Sequence, residues 1–199
     1  MTGPGEIIPD RTMGGRPRLR SLNNLLFVLL FLSLLICQTA RASNEAYDAG
    51  VDAWRKKNYP EAAKQWSQAV LSGDIEAMNN LAFLYFNGLG MEPRISDAIR
   101  LWHVAAFAGE TESQWHLGTA YEDGKGVEKD VLKAYAWYRC AIESARRKKD
   151  SDKSGTEAAL EQDATRSLGQ LMSSINPGDL RKANTLANEY IQRFATAVP

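Results

Sequence analysis

Few residues in this chain have the types and spacing that catalysis requires. Neither of its two histidines, His103 and His116, has a second ligand at the spacing of a His-Glu-x-x-His metal motif. Adjacent acids such as Glu122 and Asp123 are plentiful, but general acid–base catalysis needs two carboxylates in different environments of one pocket. No Gly-x-Ser-x-Gly nucleophile elbow occurs. We therefore expect no catalytic residue, no metal site and no cofactor.

Two glycine pairs could be mistaken for a phosphate-binding loop. Gly88 and Gly90 form one pair, and Gly124 and Gly126 form the other. Neither pair has a preceding strand, a third glycine or a Gly-Lys-Ser/Thr sequence, so nucleotide binding is disfavoured. Each pair follows an apolar pattern of helical spacing. Gly88 and Gly124 are predicted to be left-handed caps at helix ends.

These glycines belong to an internal repeat with a period of 36 residues. The repeated positions are Gly73, Leu81, Tyr85, Gly88, Gly90, Ala98, Trp102 and Ala105, which recur as Gly109, Leu117, Tyr121, Gly124, Gly126, Ala134, Tyr138 and Ala141. One period earlier, Ala62, Trp66 and Ala69 occupy the last three positions. The small–aromatic–small pattern at i, i+4 and i+7 puts these residues on one helix stripe. Repetition at this period is typical of stacked helical units.

Each unit is predicted to be a pair of antiparallel helices. The units span about 44–73, 74–109, 110–149 and 157–196, with Pro60 and Pro177 each able to start a second helix. The last helix carries many polar residues, as expected of a helix that closes a solenoid and exposes its outer face to water. Cys140 lies in an apolar helical pattern and is predicted to be a small core residue. The fold class is therefore all-α, a right-handed α-solenoid of about four helix pairs.

The repeated strings resemble a known family. Residues 77–106 and 113–142 are similar to Sel1-like repeats, which are relatives of the tetratricopeptide repeat. The similarity rests on Ser113-x-x-x-Leu117-Gly118-x-x-Tyr121 followed by Gly124-x-Gly126. Ala82 stands where the repeat usually has glycine, and residues 91–94 alter the following loop. The resemblance implies an adaptor that binds proteins, without indicating which protein.

The N-terminal segment is predicted to be a signal peptide. Arg16, Arg18 and Arg20 precede an apolar run at residues 25–36, and Ala40-Arg41-Ala42 resembles a cleavage site. Twelve helical residues span about 18 Å, which is short of the roughly 30 Å hydrocarbon core of a bilayer. We expect a signal peptide at 1–42, cleaved after Ala42, and a repeat domain at 43–199. The location would be periplasmic or secreted; the alternative is an anchor formed by an uncleaved N-terminal segment.

The charge of the repeat domain gives no reason to expect nucleic acid as a partner. Removal of residues 1–42 leaves a net charge of −3. The basic run at residues 146–149 precedes a polar segment that extends to Gly155. We interpret it as a solvated helix end, because cations are favoured there. The alternative, a patch that binds anions, is weakened by the acids that interrupt the run.

The resemblance also implies where a partner would bind. In such solenoids the first helices of the units line a concave groove. By family position, the groove residues include Tyr47, Trp54, Phe83, Phe86 and Trp115, with Glu122 favouring a basic ligand. Aromatic residues dominate binding hot spots. The other interpretation, that these aromatics pack against the next helix pair, stays open.

Three functions remain at this point. We expect an exported scaffold or adaptor that binds a partner peptide or protein in this aromatic groove. The alternative is a regulatory, inhibitory subunit of a membrane sensor or envelope enzyme, which would require a membrane-protein partner. A cell-wall enzyme is disfavoured, since it would need groove carboxylates such as Glu112 or Glu122 in catalytic roles.

Overall fold

The fold is given by a computed structural model that describes the backbone of residues 18–196 and the side chains of residues 28–31, 33, 38 and 42–194. Within this range there are eight helices and no strand. The helices are α1 (Arg18–Arg55), α2 (Tyr59–Leu71), α3 (Ile75–Asn87), α4 (Ile95–Phe107), α5 (Thr111–Asp123), α6 (Val131–Lys148), α7 (Thr156–Met172) and α8 (Pro177–Thr196). The prediction of an all-α solenoid is confirmed.

The chain divides into two compact units, Met1–Ala40 and Arg41–Pro199. In the first unit the described side chains of residues 28–31 are apolar and exposed. Arg16, part of the predicted signal, lies outside the described residues. Of the helices described, none combines the length and the apolar character needed to cross a membrane. The signal peptide stays a prediction.

The second unit contains the repeats, and local sequence sets its helix ends. Asn58 caps α2, with its side chain accepting a hydrogen bond from the backbone N–H of Glu61, and Pro60 lies in the first turn. Gly88 and Gly124 follow α3 and α5 in the left-handed conformation, with φ of 65° and 75°. These caps are confirmed, and they turn the chain from each first helix toward the next element.

The small–aromatic–small stripe of each second helix forms the core. Its members are all buried: Ala62, Trp66 and Ala69 in α2; Ala98, Trp102 and Ala105 in α4; Ala134, Tyr138 and Ala141 in α6. The alanines let the helices approach closely, and the aromatic ring fills the space between them. Repetition of this stripe explains why the helix pairs α3–α4 and α5–α6 pack in the same way.

A small residue on the first helix receives each of these rings. A Cβ atom added to Gly50 would lie 2.3 Å from Nε1 of Trp66, and one added to Gly118 would lie 2.5 Å from the ring of Tyr138. The same repeat position holds Ala82, which is buried in one core cluster with Trp102. The departure of Ala82 from the family pattern is therefore accommodated within the core.

The closing helices depart from this regularity. Both α7 and α8 pack mainly against α6, and α8 also reaches α4. Tyr190 in α8 lies with its ring 4.8 Å from that of Trp137 and 6.0 Å from that of Phe107. The helices of the fourth unit therefore do not repeat the packing of the other units: α8 lies along α6 and covers aromatic side chains of units two and three.

The basic run lies at the end of α6 with Arg146, Arg147 and Lys149 exposed, as interpreted from the sequence, and it also makes specific contacts. Arg146 and Lys149 both pair with Glu161 of α7. Lys148 donates from Nζ to the backbone oxygen of Gly109 at 2.8 Å, and lies 3.3 Å from Oγ1 of Thr111. The run therefore ties the α6–α7 connection to neighbouring helices.

The two glycines of the Leu-Gly signature provide a test of the packing. Gly118→Ala should lower the free energy of unfolding by about 1–3 kcal/mol, because the new methyl group overlaps the buried ring of Tyr138. Gly169→Ala should raise it by about 0.5–1 kcal/mol, because Gly169 lies inside α7 with no atom within 4 Å of an added Cβ. Urea denaturation followed by circular dichroism measures both. Equal effects of the two substitutions would contradict the packing described here.

Removal of the Lys148 ammonium group provides a second test. Lys148→Met should lower the free energy of unfolding by about 1 kcal/mol, because a charged hydrogen bond to the Gly109 carbonyl is lost while the aliphatic stem is kept. Lys153→Met, at an exposed position in the same segment, is the control and should change it by less than about 0.5 kcal/mol. Thermal denaturation of the two variants side by side makes the comparison.

Candidate partner-binding face

Two adjoining cavities open beside the first helices of units one to three. The first, here called the aromatic cavity, has a volume of about 310 Å³ and is lined by Val51, Trp54, Trp66, Asn79, Asn80, Phe83 and Glu112. The second, here called the acidic cavity, has a volume of about 470 Å³. Its lining is Tyr47, Glu76, Asn79, Asn80, Glu110, Glu112, Lys148, Ser151, Asp152, Ser154, Thr156, Glu157 and Leu160. Asn79, Asn80 and Glu112 belong to both linings.

Aromatic rings fix the shape of the aromatic cavity. The ring of Trp54 in α1 lies 5.8 Å from that of Phe83 in α3, edge to face. It also lies 5.2 Å from the ring of Tyr59 and 6.0 Å from that of Trp66. Such tilted contacts hold the rings in defined orientations. Trp54 and Phe83 are only half-buried, so they keep apolar surface available to a ligand.

The wall between the cavities is held by hydrogen bonds that join two repeats. Asn79 in α3 donates from Nδ2 to Oε2 of Glu112 in α5 at 2.8 Å, and its Oδ1 accepts from Oγ of Ser113 at 3.0 Å. His116 lies with Nε2 3.7 Å from Glu112 and lowers the pKa of that carboxyl. Glu112 therefore stays ionised at neutral pH, and Asn79 cannot rotate without losing both partners.

Carboxylates outnumber cations in the acidic cavity. Its lining contains Glu76, Glu110, Glu112, Asp152 and Glu157 but only one lysine. Glu110 accepts from the backbone N–H groups of Glu112 and Ser113 at the start of α5, while burial raises its pKa.

Tyr47 lines the acidic cavity, and its surroundings shift the pKa of its hydroxyl. Its pKa is raised by burial and, next in importance, by the negative charge of Glu76. Burial is the larger cause, so the negative charge of the cavity follows from its excess of carboxylates rather than from this pKa.

The structure brings together three of the six predicted partner-binding residues. Trp54 and Phe83 line the aromatic cavity, and Tyr47 lines the acidic one. Phe86, Trp115 and Glu122 belong to neither lining.

The other three residues make internal contacts. Phe86 packs on Trp102, with ring centroids 4.8 Å apart, and Lys125 lies 4.0 Å over its ring. Trp115 packs against the buried cluster of Ala141, Ile142 and Ala164, and its Nε1 lies 3.3 Å from Oγ of Ser167 in α7. Glu122 accepts from the hydroxyl of Tyr138 at 2.6 Å. Packing against the next helix pair, one of the two sequence interpretations, therefore describes Trp115, whereas Phe86 packs on the second helix of its own pair.

Sequence reasoning missed the part of the acidic cavity that comes from the α6–α7 segment. Lys148, Asp152 and Glu157 lie outside the 36-residue repeat, so the period gives no position for them. Their only sequence signal was the mixed charge of residues 146–155. Asn80, which lines both cavities, was also missed.

The histidines and the cysteine considered in the sequence analysis pack against other side chains. His103 is half-buried, with its ring 5.7 Å from that of Trp137, and burial lowers its pKa. His116 stacks on Trp102 with ring centroids 4.5 Å apart. Cys140 is fully buried, as predicted, and burial raises the pKa of its thiol. In the part of the chain that the structure describes, no group of three or more His, Cys, Asp or Glu side chains could hold a metal ion.

Two solved structures have a similar fold. The chain is 21% identical to c5321, described as a protective antigen present in uropathogenic Escherichia coli strains and displaying an SLR fold, with a TM-score of 0.66 over 78% of this chain and 31% of that one. It is 26% identical to a Sel1 repeat protein from Oxalobacter formigenes, with a TM-score of 0.53 over 72% of this chain and 55% of that one. The chain thus spans about a third and about half of their lengths.

Sequence comparison identifies the repeats themselves. No curated protein matches the chain significantly. The family model of the Sel1 repeat matches residues 75–109 and 111–145, which contain the α3–α4 pair and most of the α5–α6 pair. The chain therefore contains two Sel1 repeats.

Proposed function

We propose that this chain is an exported scaffold that holds a segment of a partner protein in the aromatic cavity. Sel1-repeat proteins are generally protein–protein interaction scaffolds and typically lack enzymatic activity. The proposal depends most on the half-buried rings of Trp54 and Phe83, which surround a cavity of about 310 Å³. Apolar surface that is rigid, concave and bordered by polar groups is typical of binding sites.

The surroundings of these rings support a site for a partner. The Asn79–Glu112 hydrogen bond holds one wall of the cavity in place. The wall therefore loses little conformational entropy when a ligand binds. The cavity is also built from α1, α3 and α5 together. A partner bound there would contact three units at once, as expected for a solenoid binding surface.

Export is supported by the order of basic residues, apolar run and Ala40-Arg41-Ala42 at the N-terminus. The proposal predicts that the chain isolated from its own cells begins at Ser43 and is recovered outside the cytoplasm. N-terminal sequencing after cell fractionation measures this. Replacement of Ala40 and Ala42 by bulky Leu should block cleavage and leave residues 1–42 attached. An intact N-terminus on cytoplasmic protein would contradict export.

The binding proposal predicts a local crosslink in living cells. A photoreactive phenylalanine analogue in place of Phe83 should give a discrete product with a partner protein, because Phe83 lines the aromatic cavity. The same analogue in place of Leu71, which is 88% exposed and not among the lining residues of that cavity, is the control and should give no such product.

Truncation of Trp54 should remove most of that product. Trp54→Ala should reduce the yield of the Phe83 crosslink at least tenfold, since aromatic hot spots contribute about 2 kcal/mol or more to binding. Leu71→Ala is the matched truncation and should leave the yield unchanged. Circular dichroism establishes that both variants remain helical. Undiminished crosslinking in the Trp54→Ala variant would rule out the aromatic cavity as the binding site.

A further inference from the structure

We propose that the bound segment is a basic extended peptide, which places an apolar side chain in the aromatic cavity and an adjacent Lys or Arg side chain in the acidic cavity. This inference rests on the proposed function and specifies the chemistry of the partner. It depends on two cavities of one face, the aromatic cavity and the acidic cavity, which share a wall.

The charge of the acidic cavity selects the sign of the ligand. Five carboxylates line it, from Glu76 in α3, from Glu110 and Glu112 at α5, and from Asp152 and Glu157 at α7. These groups come from different units and from the α6–α7 segment, so the negative charge is concentrated by the fold. A recess lined by one sign of charge concentrates ligands of the opposite sign.

The single cation in the lining is already engaged. Nζ of Lys148 donates to the Gly109 carbonyl at 2.8 Å, lies 3.3 Å from the Thr111 hydroxyl and lies 3.6 Å from a carboxylate oxygen of Glu157. Lys148 therefore offsets about one negative charge and leaves Glu112 and Asp152, whose carboxyl pKa values are lowered, ionised. The remaining negative charge favours an ammonium or guanidinium group from outside. It also disfavours nucleic acids and anionic membrane surfaces, which carry phosphate.

The shared wall determines how the two recesses would be used together. Asn79, Asn80 and Glu112 line both cavities, and Asn79 is held by Glu112 and Ser113. Successive side chains of an extended peptide point to opposite sides, and alternate ones lie about 6–7 Å apart. A peptide that runs along the top of this wall can therefore place an apolar residue on one side of it and the adjacent basic residue on the other.

The basic group would meet ionised acceptors at the wall. Glu112 keeps its charge because His116 lies 3.7 Å away and lowers the pKa of the carboxyl. Glu76 is exposed at the rim of the acidic cavity. Interactions of a lysine or arginine with such carboxylates are charge-assisted hydrogen bonds, which are stronger than neutral ones. The aromatic cavity supplies most of the affinity for the peptide, and the carboxylates supply the preference for a basic side chain over a neutral or acidic one.

Three fluorescein-labelled octapeptides of matched length test the inference with the full chain. One alternates Leu with Lys, the second alternates Leu with Gln, and the third alternates Leu with Glu. Fluorescence polarisation should show that the Lys peptide binds at least tenfold more tightly than the Gln peptide, with the Glu peptide weakest. The advantage of the Lys peptide should shrink as sodium chloride rises from 50 to 500 mM.

Neutral isosteric substitutions assign the selectivity to this face. Glu76→Gln combined with Glu112→Gln should remove most of the tenfold preference for Lys over Gln. Glu92→Gln combined with Asp123→Asn removes the same charge from exposed positions outside both linings and should preserve the preference. Thermal denaturation checks that both double variants are folded.

The outcomes separate this inference from the proposed function. Equal binding of the three peptides, all weakened by Trp54→Ala, would overturn the basic-peptide inference and leave the aromatic cavity as a binding site. Failure of the Lys peptide to bind would also overturn it, while the Phe83 crosslink would still decide whether a partner binds. A Lys preference unaffected by the Glu76 and Glu112 substitutions would overturn the assignment to the acidic cavity.

Discussion

The contact between a second-helix aromatic ring and a small residue of the first helix governs this fold. Trp66 lies against Gly50 and Tyr138 lies against Gly118, each closer than a side chain at the glycine position would permit. Trp102 shares its core cluster with Ala82 at the same repeat position. Each such contact sets the spacing of one helix pair. Since neighbouring pairs stack on one another, the same contact also sets the spacing of the first helices that line the two cavities.

Burying these rings also buries the polar atom at the edge of each ring, and the units differ in whether that atom finds a hydrogen-bond partner. The indole nitrogens of Trp66 and Trp102 are buried without a hydrogen-bond partner in the protein. In unit three the ring is that of Tyr138, whose hydroxyl instead donates to Glu122 and lies 3.3 Å from Oγ1 of Thr119. The aromatic shape is therefore retained from unit to unit, while the polar group at its edge is satisfied only where the surroundings allow it. This difference explains why Glu122, expected on a groove, is committed to its own helix pair.

The fold could be predicted largely from the sequence because its signal is periodic. The small–aromatic–small stripe, the cap at Gly88 and the helix start at Asn58 all depend on local chemistry and on a 36-residue repeat. The candidate site was only partly predictable. Trp54 and Phe83 occupy regular groove positions, but whether a ring stays open depends on what packs over it, and α7 packs over Trp115. The acids of the α6–α7 segment lie outside the period, so no repeat position indicates their place at the cavity.

The course of α8 has a consequence for how such a chain can change in length. In the regular units each second helix packs with its own first helix, and this arrangement can be duplicated without limit. Here α8 lies along α6 and reaches α4, and Tyr190 contacts Trp137 in α6 and Phe107 in α4. A further unit added after α8 would find no regular surface to continue the stack. A duplicated 36-residue unit inserted between α4 and α5 would instead preserve the closing contacts of α6, α7 and α8. Growth by internal duplication is therefore compatible with this architecture, whereas growth at the α8 end requires that helix to be displaced.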